Sequence, residues 1–204
     1  MTGRPGVAGG IASAWSLARG EPGWQDRMDL SANAVFGSFL AVPLALPAIV
    51  LSSEVARRTA LTMPGVEAAL YESVVIAGVF GVLRALLSWG VSLFVLISLV
   101  RRTADGWRVS PLIVGYNWSR LVADLILGLG AAAAVATGVL GIALAAGAAS
   151  QGVRIYLDVG VIRHAVGITL GQAIGAYLVV LLARFVVVIL LSVPQGLLTG
   201  AAGT

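Results

Sequence analysis

From Ser73 to Val100 the chain runs for 28 residues with one charged side chain, Arg84, before Arg101-Arg102 stops it. About 20 apolar residues suffice for a helix to cross about 30 Å of hydrocarbon, so this run is longer than one span requires. Comparable apolar stretches recur along the chain, and little is left to build a water-facing surface. Of the 204 residues, 59% are hydrophobic and 11% charged, with a mean hydropathy of +0.99. Soluble domains hold roughly 45–50% apolar and about 25% charged residues. The pattern predicts an all-α, polytopic transmembrane helical bundle of about five spans, with membrane lipids as its solvent.

The spans are expected at residues 32–51, 79–100, 112–135, 138–157 and 166–193, inside a transmembrane domain of residues 32–194. Residues 1–31 carry six interruptions by charge and do not have the unbroken apolar core of a signal peptide. They read as a cytoplasmic tail with a short interfacial amphipathic helix, Ile11, Trp15 and Ala18 on one side and Trp15 at headgroup level. Ser31 is the expected N-cap of the first span, and Pro43 and Pro47 predict a kink within it. Residues 52–72 read as a polar linker with Glu54, Arg57, Arg58, Glu67 and Glu72, turning at Pro64-Gly65. Residues 103–110 form a polar loop with Asp105, Trp107 and Arg108; Ser110 is the expected N-cap of the third span and Pro111 opens it. The 40 mostly apolar positions of residues 111–150 divide near 136–138 into two spans. The last span ends at Pro194, before a short uncharged tail of residues 195–204.

Charge sorts with this count. With the N-terminus cytoplasmic, Arg4, Arg19, Arg27, Arg101, Arg102, Arg108, Arg154 and Arg163 face inside, against Arg57 and Arg58 outside, as the positive-inside rule requires. Four spans would place Arg154 and Arg163 outside. All basic residues are arginine, a profile that GC-rich coding produces in bacteria. The expected location is the bacterial inner membrane.

Three constellations stand out. Gly167, Gly171 and Gly175 lie four apart at the start of the last span, and Gly141 begins a second stripe of small residues on the span before it. Such stripes let helix backbones approach closely, here either each other or another molecule. Arg120 and Asp124 share one face of the third span, while Arg84 and Arg184 lie inside the second and last. An unpaired charge at that depth costs at least about 2.5–3.5 kcal/mol, so a buried network joining Asp124 to Arg184, Arg120 or Arg84 is expected. It serves either helix register or function, and its surplus of arginine suits an anion. Finally, Tyr116, Asn117 and Trp118 at the start of the third span, with Trp107 before it, read as interfacial anchors; Asn117 and Ser119 have the alternative of bonding a neighbouring helix or lining a polar cavity.

Catalytic patterns are missing from the sequence. It has no cysteine and one histidine, His164, placed in a cytoplasmic loop. There is no GxSxG elbow, Walker A loop or GxGxxG turn. No cofactor, metal or nucleic acid is implied. Ala14-Trp15-Ser16-Leu17-Ala18-Arg19, Ser38-Phe39-Leu40-Ala41 and Tyr116-Asn117-Trp118-Ser119 resemble a group of small, uncharacterised inner-membrane proteins of alphaproteobacteria. The stretch Ile155-Tyr156, then Gly167 and Gln172-Ala173, is similar as well. The chain is also distantly similar to the five-helix Yip-type membrane proteins. The first resemblance implies topology and compartment, and no activity; the Yip-type one implies nothing further.

The expected function is non-enzymatic: an accessory or scaffold subunit of a membrane complex or homo-oligomer, acting through helix packing. The alternative is a small transporter or channel component with an intramembrane Arg/Asp polar pathway, which requires a water-accessible cavity reaching Asp124. A membrane enzyme using His164 and Asp158 ranks third, because residues six apart do not share a helix face.

Overall fold

The computed structural model describes residues 6–62, 73–103 and 106–201, with side chains through residue 192. Arg4, Pro64-Gly65, Glu67, Glu72, Asp105 and most of the C-terminal tail's side-chain detail lie outside the described residues. Among those described there are helices and no strand: α1 Val7–Arg19, α2 Trp24–Arg27, α3 Ala32–Ser38, α4 Ala41–Leu61, α5 Val74–Thr103, α6 Val109–Thr137, α7 Leu140–Val166 and α8 Leu170–Ala201. Five stretches are long and apolar enough to cross a membrane: Ala32–Leu61, Val74–Arg102, Gly106–Thr137, Leu140–Val166 and Leu170–Ser192.

Local chemistry sets several boundaries. Ser31 caps α3, its side chain accepting from Ala34 N at 3.2 Å. The expected kink at Pro43 and Pro47 instead falls one turn earlier, as a break at Phe39-Leu40. A proline ring clashes with the carbonyl four residues back, which for Pro43 is Phe39. Starting a new helix at Ala41 puts Pro43 in its first turn, where an amide proton has no intrahelical partner anyway. The helix then continues to Leu61, so Glu54, Arg57 and Arg58 lie on α4 and not in a linker. Ser110 is not a cap, because α6 begins at Val109 after Arg108. The division near 136–138 is observed: Gly138 ends α6 with a φ of 73°, a conformation that favours glycine.

The fourth span reaches Val166, well beyond the expected 157, so Asp158, Arg163 and His164 are helical. Gly167 ends it with a φ of 72° and lies outside the last helix. That last helix starts at Leu170 and passes through Pro194 to Ala201.

The N-terminal segment differs most from expectation. Helix α1 is part of the folded body, packed across α6 and α7. It buries Gly10, Ala14, Leu17 and Ala18, a helical stripe, and turns Trp15 outward against Tyr156 at 6.2 Å between rings. The cause is a groove of small residues. Gly115 receives the Leu17 side chain, and Gly160 lies so close to the Ala18 carbonyl that a Cβ would overlap it. Beyond α1, Glu21 accepts from Ser16 at 3.0 Å and pairs with Arg19 at 3.3 Å and Arg27 at 3.0 Å. The Ser16 hydrogen bond, with Arg19 and Arg27 beside it, holds the Glu21 carboxyl below its ordinary value.

Replacing Gly160 with Leu should lift α1 from its groove, at a cost of about 1–3 kcal/mol for overpacking. Limited trypsin digestion checks this: cleavage after Arg19 and Arg27 should accelerate in Gly160→Leu. It should stay at the wild-type rate in Gly152→Leu, where a Cβ meets nothing within 4 Å.

Candidate functional site

The five long helices pack in the order α4, α5, α8, α7, α6 and back to α4. Smaller contacts join α5 to α6 and α4 to α7, and an open cavity of about 550 Å³ is lined by all five helices. Its wall takes Arg57 from α4, Arg84 from α5, Arg120 and Asp124 from α6, Arg154 from α7 and Arg184 from α8. Every long helix therefore contributes a guanidinium to one space, and a single carboxylate shares it.

Two layers of polar contacts organise the cavity. In the first, Trp89 Nε1 donates to Asn117 Oδ1 at 2.9 Å, and Asn117 Nδ2 donates to Ser38 Oγ at 2.9 Å, tying α5, α6 and α3 together. Beside it Arg184 Nε donates to Ser92 Oγ at 2.9 Å, and its Nη2 reaches Tyr116 and, at 3.4 Å, Asp158 Oδ2. Ser119 Oγ approaches Asp158 Oδ1 at 3.2 Å. In the second layer Arg154 donates to Asp124 Oδ1 across the α6–α7 interface, while Arg120 Nε stands 3.7 Å from Asp124 Oδ2. The Arg120 guanidinium also lies over the Trp89 ring, 4.9 Å from its centre, a cation–π placement that fixes its plane. Toward the end of α4, Glu54 accepts from Arg57 at 2.7 and 2.9 Å and from Arg58 at 2.7 Å.

Arg84, Arg120, Asp124 and Arg184, expected to form a network, do meet in one cavity. The carboxylate of Arg184 is Asp158, however, and not Asp124. The sequence pattern left Asp158 and Arg154 out of the network, with Asp158 considered only beside His164 for an enzyme and Arg154 placed among the cytoplasmic charges. A signal was present: Arg120-Leu-Val-Ala-Asp124 recurs as Arg154-Ile-Tyr-Leu-Asp158, the same i, i+4 pair, and apolar residues follow it to Ile162. Neighbouring antiparallel helices then exchange partners, Asp124 taking Arg154 while Asp158 takes Arg184.

Other expectations change with the packing. Tyr116 and Asn117 are fully buried and Trp118 nearly so, which makes them core residues of α6 and not interfacial anchors. Trp107 is exposed, with the Arg108 guanidinium 4.9 Å over its ring. The glycine stripes do not pack on each other. Gly141 is at one end of the α7–α8 hairpin and Gly171 and Gly175 near the other, and a Cβ on any of the three meets nothing within 4 Å. Gly167 is in the turn, where Arg108 Nη1 donates to Val166 O at 2.7 Å. His164 is in the last turn of α7 with its ring against Gly20, and not in a loop.

No protein-family model, curated protein or solved structure matches the chain. The site's chemistry therefore comes from its own side chains. A guanidinium presents donors in a planar fork that fits carboxylate and phosphate oxygens. Five such forks around one cavity make an environment for anions.

Arg184→Met should destabilise the protein by about 3–5 kcal/mol, because Asp158 is left as an uncompensated buried charge. The pair Arg184→Met/Asp158→Leu should recover a substantial part of that loss. Thermal unfolding of wild type, the two single variants and the pair in one mild detergent measures both effects; additive single losses would show that the ion pair does not hold α7 to α8.

Proposed function

We propose that the chain is a non-enzymatic polytopic membrane protein that takes an anionic ligand into the cavity between its five long helices, as a small transporter or channel component. The observation that carries the reading is the cavity wall, five arginines against Asp124 in a space of about 550 Å³. A purely structural network would be paired in a dry interface. This one instead borders a cavity reaching mid-depth in the bundle. No cofactor or nucleic acid enters the proposal.

The bacterial inner membrane is the proposed compartment, supported by the arginine-only basic composition and by the resemblance to alphaproteobacterial membrane proteins. A cytoplasmic N-terminus is supported by charge. One end of the bundle carries Arg19, Arg27, Arg101, Arg102, Arg108 and Arg163, and the other Arg57 and Arg58. Arg154 drops out of that count because it sits within the bundle, and the asymmetry survives without it. The cavity lining extends toward the Arg57 end.

A scaffold role is the second reading, favoured by the open faces at Gly141, Gly171 and Gly175. Association through them would place the protein in a homo-oligomer or beside partner membrane subunits. Mass measurement after gentle cross-linking in mild detergent tests it. A lone 20.8 kDa protomer would remove it.

For the anion reading, reconstituted vesicles loaded with a chloride- or phosphate-sensitive dye, or supplied with radiolabelled organic anions, measure flux under an imposed potential. Wild-type vesicles should pass at least one of these anions above the protein-free rate. Arg120→Gln should reduce that flux by about tenfold or more, the effect of about 1.4 kcal/mol. Flux at the protein-free rate for all of them would remove the transport role.

A further inference from the structure

The guanidinium groups in the cavity are not equivalent. Arg184 is engaged through Nε and Nη2 by Ser92, Tyr116 and Asp158. Arg120 is only 4% exposed, yet its Nε and Nη1 have no hydrogen-bond partner. Its nearest carboxylate oxygen, Asp124 Oδ2, is 3.7 Å away and likewise without a hydrogen bond, since Arg154 engages the other oxygen. Buried polar atoms are nearly always satisfied, and leaving a charged donor unmet is costly. Trp89 meanwhile holds the Arg120 plane in place. Arg120 is thus oriented and unsaturated, the condition of a group that reads a ligand.

Charge and size narrow what that ligand is. With the paired Asp158, Glu54 and Arg58 counted beside the wall, six guanidinium groups face Asp124, Asp158 and Glu54, which leaves an excess of three positive charges. A cavity of about 550 Å³ is far larger than a bare inorganic anion needs. It falls among the roughly 300–1,000 Å³ sites that hold small organic molecules. Ile49, Leu127, Leu181 and Val188 add apolar lining beside the charges. Building on the anion-binding function proposed above, we propose that the ligand is an organic oxyanion, a phosphate or carboxylate carrying an apolar body, and that Arg120 binds its headgroup.

The test uses the full chain in a non-ionic detergent, with thermal unfolding followed against sodium chloride, inorganic phosphate, phenyl phosphate and neutral benzyl alcohol. Phenyl phosphate should stabilise the protein saturably, at about one-tenth or less of the concentration that inorganic phosphate requires. Benzyl alcohol should not do so. Arg120→Gln should weaken the phenyl phosphate response about tenfold or more, and Arg163→Gln, on the exposed end of α7, should leave it unchanged. Arg120→Lys keeps the buried charge while removing the planar fork, so it should fold and still lose most of the response. Native mass spectrometry from nanodiscs with and without phosphatidic acid separates the two sources of such a headgroup. Retained phosphatidic acid that is lost in Arg120→Lys supports the same site with a lipid ligand, and its absence supports a soluble one. Equal responses to inorganic and phenyl phosphate would overturn the organic-anion assignment and leave the anion cavity standing. A phenyl phosphate response that both Arg120 variants preserve would overturn the role of Arg120. Silence from every anion would overturn the proposed function itself.

Discussion

A guanidinium or carboxylate within a hydrocarbon layer must find its opposite inside the protein, and this requirement organises the bundle. Asp124 and Arg154 meet across α6 and α7, and Asp158 and Arg184 across α7 and α8. Both pairs lie near the middle of their helices, so each fixes a register as well as a contact. Sliding α7 by one turn would separate both acids from their partners at once. Apolar side chains can trade one neighbour for another at small cost in lipid, where they are equally at home against acyl chains. The ion pairs cannot.

Helix α6 is the element on which these constraints converge. It is buried on all sides from Tyr116 through Leu121, unlike α5 and α8, which show many large apolar side chains to the outside. Its residues bond to α3 through Ser38, to α5 through Trp89, to α7 through Arg154 and Asp158, and to α8 through Arg184. Helix α1 covers a further part of it by way of Gly115 and Trp118. With so much of α6 committed to packing, the unsatisfied atoms of Arg120 and Asp124 stand out, and both residues line the cavity.

The helical class, the count of five spans, the Ser31 cap and the turn near Gly138 were legible because each depends on local chemistry: apolar run length, a side chain reaching an amide three residues on, a glycine at positive φ. The convergence of Arg84, Arg120, Asp124 and Arg184 was legible too, since charges at membrane depth have few alternatives to one another. Charge, however, does not by itself end a span. Arg154 and Asp158 shorten the fourth span only if they stand in water; paired with Asp124 and Arg184, they let the helix run on to Val166. For the same reason Glu54 is tolerated on α4, with Arg57 and Arg58 beside it.

By itself, then, the sequence determined the solvent, the class of fold and the residues too polar for that solvent. It left the partners open, because an arginine at a given depth accepts any carboxylate that packing brings near. It equally left open which face of α1 is buried, because that choice depends on the grooves at Gly115 and Gly160, distant in the chain. Only tertiary structure decided that Asp158 takes Arg184, that Tyr116, Asn117 and Trp118 are core, and that five helices line one cavity. Those outcomes arise from complementary surfaces brought together over long sequence separations, and no local pattern encodes them.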